Sequence, residues 1–129
     1  MNDSEVDAGL ADTPSYRYAD VVGSQLFVAG QVPLDGDGQL LANGDPAGQA
    51  VACLDNLRVV IKVNGFAVED IHQLVVYVVG EQQNLLDTWS AVTGWFDNNV
   101  PPATLLGVNL LGYGDQLVEI DATVVRSVA

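Results

Sequence analysis

Apolar positions recur along the chain with two different periods, and the alternation between them predicts its elements. Tyr16–Val22 and Gln25–Ala29 are dense in aromatic and β-branched residues, with Gly23-Ser24 between them as a two-residue turn, so an antiparallel hairpin is expected. A third short strand, around Gln39–Leu41, should follow the turn-forming run Pro33-Leu34-Asp35-Gly36-Asp37-Gly38. The period then lengthens. Val51, Leu54, Leu57 and Val60/Ile61 repeat at helical spacing, Asp45 and Pro46 are suited to the N-cap and first turn, and Asn64-Gly65 supplies a left-handed stop, which predicts a helix over Asp45–Asn64. Ile71–Val79 is too short and too β-branched for a helix and reads as a central strand buried on both faces. A second amphipathic helix is expected over about Asn84–Phe96, with Leu85, Trp89, Val92 and Trp95/Phe96 on its apolar stripe. After Pro101-Pro102, Ala103–Asn109 and Leu117–Arg126 complete the pattern as strands. The order β-β-β-α-β-α-β-β describes an α+β domain, a mixed sheet with two helices on one face.

Two helices cover only one face of such a sheet, yet Ile71–Val79 is apolar on both sides, so self-association is expected to cover the other. In Leu117–Arg126 the alternation sends Val118, Ile120, Ala122 and Val124 one way and Leu117, Glu119, Asp121, Thr123 and Val125 the other. Glu119 and Asp121 therefore point to the helix-free side, at or near a subunit boundary. Buried together, one of them would have a raised pKa suited to proton handling; the plain alternative is a solvated pair.

Composition narrows the partners. The 129 residues are 49% hydrophobic and carry a formal net charge of −13, with only four basic side chains, Arg17, Arg58, Lys62 and Arg126. That much apolar material specifies one folded domain rather than a disordered chain. So few scattered cations cannot neutralise phosphates, which argues against nucleic acid and anionic membrane surfaces as partners. Residues 1–13 are acidic, lack the basic and apolar regions of a signal peptide, and are expected to be a flexible lead-in to a domain spanning 14–129. No apolar run is long enough to span a bilayer. Cys53 is the only cysteine, which excludes an intramolecular disulfide and fits a reducing cytoplasm.

Several motifs end in ordinary structural readings. Asp35-Gly36-Asp37-Gly38 lacks the later oxygen ligands of a calcium loop and reads as a turn. His72 is alone, with no second histidine or extra cysteine to complete a transition-metal site, and Cys53 has no histidine near it in sequence. The glycines follow neither the dinucleotide nor the P-loop spacing, so neither metal nor cofactor is expected.

With those elements placed, the chain resembles the RidA/YjgF family of small imine and enamine deaminases from Pro14 to Arg126. The residues that carry the resemblance are Tyr16 after a Pro-x pair; Leu26-Phe27-Val28-Ala29-Gly30-Gln31-Val32-Pro33; Gln49 with Leu54-Asp55-Asn56-Leu57; Val76-Tyr77-Val78; Trp95-Phe96; Pro102-Ala103; and Val118-Glu119-Ile120-Asp121-Ala122. The resemblance implies a chorismate-mutase-like fold assembled as a homotrimer, with small-molecule sites in the clefts between subunits. It also implies a Glu in the last strand that positions a hydrolytic water, matched by Glu119, and an Arg directly after Pro-Ala that clamps a substrate carboxylate. Thr104 occupies that second position.

A hydroxyl cannot replace a guanidinium fork. Trp89 in the second helix falls where relatives often carry Asn, and Leu105 and Leu106 follow Thr104, so the expected cleft is apolar and without a cation from its matched positions. The expected site comprises Glu119 as the catalytic group and Tyr16, Gly30, Trp89, Thr104 and Leu106 around the ligand. The ligand should be neutral or partly apolar. Two functions fit this pattern: a divergent deaminase or hydrolase acting on an imine, enamine or related C–N substrate, and a trimeric binding or interaction module that kept the fold without the chemistry.

Overall fold

The computed structural model describes residues 1–127. A five-residue helix, α1 (Asp3–Asp7), opens the chain; β1 (Ala19–Val22) and β2 (Gln25–Val28) form the hairpin; and α2 (Pro46–Val63) follows a long loop. A 3₁₀ turn at Val68–Asp70 leads into β3 (Ile71–Val79), then α3 (Gln82–Trp95), β4 (Ala103–Val108) and β5 (Val118–Val125). The sheet order is β1-β2-β5-β3-β4, antiparallel except for β3 and β4, which run parallel across the α3 crossover. This is the expected α+β layout: one mixed sheet with two long helices packed on one face.

Helix α2 begins and ends for reasons the sequence carries. Asp45 takes the extended N-cap conformation before Pro46, although its carboxylate makes no capping bond. Gly65 turns left-handed (φ +83°), and the amides of Gly65 and Phe66 return to the carbonyls of Lys62 and Ile61, closing α2. Leu54, Leu57 and Ile61 from α2, Val92 from α3, and Leu74, Val76, Val78, Val118, Ile120 and Val124 from the sheet form the core, all fully buried.

Three expectations change. Residues 1–13 are a packed appendage rather than a loose lead-in. Asn2 is buried, its amide nitrogen donating to Thr13 and to the Tyr16 carbonyl, while its Oδ1 accepts from the Tyr18 amide. Glu5 of α1 accepts from the Asn64 side chain at the end of α2. Those same bonds explain why β1 starts at Ala19 and not at Tyr16: the Tyr16 carbonyl and Tyr18 amide are occupied by Asn2. Finally, Gln39–Leu41 is not a strand. Asp35 folds back to accept from the amides of Asp37 and Gln39, leaving only a single bridge between Leu34 and Leu40.

The face of the sheet opposite the helices is open in the single chain. On β3 the alternation is plain: Leu74, Val76 and Val78 are sealed under the helices, whereas Val75, Tyr77 and Val79 are only half-buried. Phe27, on the open side of β2, is 52% exposed.

Candidate functional site

Glu119 lies on the open face, paired across the ladder with Tyr77, which in turn pairs with Leu106 of β4. Asp121 occupies the next row with Val75 and Thr104. Glu119 is thus two strand spacings, about 9.5 Å, from Leu106, and Thr104 sits one row further along the edge strand. Within one chain Thr104 and Leu106 share the face of Glu119 without closing on its carboxylate. The two acids do not act as a pair, because Glu119 is held by Gln116 while Asp121 accepts from the Ala122 amide.

Gly30 is brought against Glu119 by a short antiparallel bridge in which Gln31 and Ile120 exchange both backbone hydrogen bonds, at 2.7 and 3.1 Å. A methyl group at Gly30 would lie 3.1 Å from Cδ and 3.3 Å from Cγ of Glu119 and collide with Oε2. Only glycine leaves the carboxylate its present position. Behind it, Gln116 is 3% exposed; its Nε2 donates to the Val118 carbonyl at 3.0 Å and to Glu119 Oε1 at 3.3 Å, and its Oε1 accepts from the Tyr113 amide at 3.1 Å. Gln49, fully buried on α2, accepts from the Leu117 amide at 2.7 Å and anchors the start of β5.

Two phenols complete this end of the site. Burial, the neighbouring phenols of Tyr113 and Tyr18 and the negative charge of Glu119 hold Tyr16 well above the ordinary tyrosine range. Tyr18 is pushed up to about 12, chiefly by burial, then by Tyr113, Glu5 and Asp12; its hydroxyl donates to the Ala11 carbonyl at 2.6 Å. Tyr16 and Tyr18 therefore stay protonated near neutral pH. Among the described residues the side-chain ion pairs are Arg17–Asp20 and Arg58–Asp55, and none of these residues gives Glu119 a cationic partner.

Trp89 departs from its expected place. It packs against the core on the helix-covered side, so the sheet stands between it and Glu119. Its helical period made it an apolar-stripe residue, and that stripe faces the sheet. Conversely, Tyr113 and Gln116 went unnoticed. The flanking glycines of Gly112-Tyr113-Gly114 were the available signal for a presented aromatic side chain, whereas nothing in the sequence separates a buried Gln116 from a solvated one.

The remaining chemistry-bearing residues are structural. Burial, reinforced by the charge of Glu119, pushes the Cys53 thiol up, away from the reactive thiolate. His72 sits at an irregularity in the β3–β5 ladder with its Nε2 2.9 Å from the Val125 carbonyl oxygen. Among the described residues, no three His, Cys, Asp or Glu side chains converge as a metal site requires, and no helix is long and apolar enough to cross a membrane.

A five-stranded mixed sheet with two helices on one face, and an acidic group seated on a glycine on the other, defines a chorismate-mutase-like α+β domain of the YjgF type. Residues 9–126 match the family model described as Endoribonuclease L-PSP, and the chain belongs to this family, that of the RidA/YjgF proteins. A RutC family protein of Sulfurisphaera tokodaii is 30% identical over 88 residues, covering 68% of this chain and 69% of the relative. A RutC family protein of Pyrococcus horikoshii is 26% identical over 83% of both chains. Among solved structures, E. coli TdcF with bound serine superposes with a TM-score of 0.81 at 25% identity, covering 92% of this chain and 93% of its own. The E. coli YjgF gene product superposes at 0.80, also at 25% identity, with the same coverage.

Proposed function

We propose that the protein is a cytoplasmic homotrimer that binds a small uncharged ligand in clefts between its subunits and uses Glu119 to direct water at a C–N bond of that ligand. The half-exposed apolar row of Val75, Tyr77 and Val79 supports the assembly, since such a surface gains from being covered by a second copy. The observation that carries the chemistry is the seating of the Glu119 carboxylate: fixed by Gln116 on one side and Gly30 on the other, with no cation to neutralise it. A carboxylate in that condition can accept a proton from water.

For an imine, water attacks the imine carbon as Glu119 takes its proton and passes it to the nitrogen, giving a carbinolamine. Glu119 then carries the hydroxyl proton to the amino nitrogen, the C–N bond breaks with its electron pair leaving on nitrogen, and a carbonyl compound and ammonia result. A positioned general base contributes about 10²–10⁴ in rate. Tyr16 donates to the ligand, the Gly30 backbone forms the floor, and Thr104 and Leu106 reach the cleft from the β4 edge of a neighbouring copy.

Thr104 sets the ligand's charge. Where deaminases of the family hold a carboxylate with Arg, this chain offers a hydroxyl, and a second carboxylate about 5 Å from Glu119 costs about 3 kcal/mol at an effective dielectric constant of about 20. The serine bound to TdcF shows that a relative accommodates an amino acid; this chain lacks a matched charge to grip one. The test is ammonia release from 2-iminopropanoate generated in situ. Wild type should not accelerate it, and Thr104→Arg should. Ordinary acceleration by wild type would refute the uncharged-ligand reading. A wild type that binds uncharged ligands and turns over none of them would make the cleft a binding module.

A further inference from the structure

A cavity of about 480 Å³, a volume typical of small-molecule sites, lies on the helix side of the molecule near the start of β3. Arg58 of α2, Glu69 of the 3₁₀ turn, Ile71 of β3, and Trp95, Phe96 and Asp97 at the end of α3 are among its walls. Ile71 stands about 20 Å along β3 from Tyr77, the cross-strand partner of Glu119, and Glu119 is on the other face of the sheet. The cavity is therefore separate from the Glu119 cleft, and a copy covering the open face leaves it free.

Its charged walls are held in place. Asp55 Oδ1 accepts from Arg58 Nη2 at 3.1 Å and from the Trp95 indole nitrogen at 3.0 Å, and the guanidinium lies over the Trp95 ring, 5.0 Å from its centroid. Asp55 meets only Nη2, so the other guanidinium nitrogens keep donors for a ligand. Phe96 meets Trp95 edge to face with ring centroids 4.8 Å apart, which makes that wall aromatic. The turn bearing Glu69 is closed by the Ala67 amide donating to Asp70 at 2.8 Å. The turn bearing Asp97 is closed by the amides of Asp97 and Asn98 returning to the carbonyls of Gly94 and Thr93. Among the described residues, the ion pairs include neither Glu69 nor Asp97.

We propose that this cavity is a second binding site, independent of the Glu119 cleft, for a zwitterionic amino acid with an aromatic or other large apolar side chain. The Arg58 fork receives the ligand carboxylate, Glu69 and Asp97 receive its ammonium group, and the side chain lies against Phe96 and Ile71. The charges of the walls decide the class. A plain carboxylate would bring a third negative charge to Glu69 and Asp97, and a plain amine would set a positive charge beside Arg58 with nothing to occupy its donors; a zwitterion answers both.

The test is amide-resolved NMR titration of the full chain with three probes that share one ring system: L-tryptophan, tryptamine and indole-3-propionate. L-Tryptophan should move the Trp95 indole N–H and the Ile71 and Asp97 amides saturably while Gly30 and Glu119 stay still. Tryptamine and indole-3-propionate, each lacking one charge, should bind about tenfold more weakly. Arg58→Gln, at an exposed position, should weaken L-tryptophan about tenfold and leave tryptamine within about twofold of wild type. Glu69→Gln combined with Asp97→Asn should weaken L-tryptophan and spare indole-3-propionate. Equal affinity of wild type for all three probes, or equal losses of L-tryptophan and tryptamine in Arg58→Gln, would overturn the zwitterion class. Shifts at Gly30 and Glu119 without any at Trp95 would overturn the site itself, as would the absence of any shift at Trp95 with every probe.

Discussion

The two faces of this sheet are made from the same strands and finished in different ways. On the helix side Leu74, Val76, Val78, Val118, Ile120 and Val124 are sealed beneath α2 and α3. One residue along on the same strands, Val75, Tyr77, Val79, Glu119 and Asp121 remain half-buried. Stability resides on the first face, where apolar area is already removed from water. The second keeps its apolar area and its carboxylates partly open to solvent in the single chain. Substitutions on the two faces should therefore fail in different assays.

The largest effect belongs to the sealed face. Leu54→Ala removes a fully buried side chain from the centre of α2 and should cost about 2–5 kcal/mol in urea unfolding. Val75→Ala, on the open face, should cost clearly less under conditions where the chain is monomeric, and equal losses would abolish the distinction. Next comes Gly30→Ala, where the added methyl must displace the flexible end of Glu119. The unfolding midpoint should move little, while ligand-dependent function falls by about 10²-fold, the usual consequence of moving a catalytic group by about 1 Å. Val75→Asp should leave the helical circular dichroism intact and shift sedimentation from trimer to monomer; an unchanged trimer would show that this row is not the interface.

The smallest effect appears only in alkali. Tyr18 is raised from 10.0 to about 12 in the folded chain, so above pH 10 the unfolded chain loses a proton that the native one keeps. Stability from this group is complete below about pH 10 and is lost as the pH rises toward 12. Ultraviolet absorbance should show a tyrosine ionising near pH 12 in the native protein, and Tyr18→Phe should flatten the alkaline fall in stability.

What the sequence disclosed divides along the same two faces. The sealed face was legible because burial imposes period: the stripe in α2, the alternation in β5 and the Asn64-Gly65 stop each follow from one physical demand. The open-face position of Glu119 was legible because that same alternation sends its charge to the side away from the helices. The Asn2 side chain was invisible, since nothing in an acidic lead-in announces that one amide will take over the Tyr16 carbonyl and the Tyr18 amide and delay β1. Gln116 and Tyr113 were hidden for a related reason: they act through hydrogen bonds between residues of one loop and one strand, and polar partners follow no period. Trp89 was misplaced because an aromatic on an apolar stripe belongs first to the core.

The account turns on what reaches the Glu119 cleft in the assembled protein. A crystal structure of the oligomer soaked with a small uncharged ligand should show three copies joined through their open faces. The ligand should lie against Glu119 and Gly30, with Thr104 of a neighbouring copy nearby and no arginine or lysine nitrogen within hydrogen-bonding distance. An Arg17 or other basic side chain of an adjoining protomer gripping that position would contradict it, and would restore a carboxylate-bearing substrate.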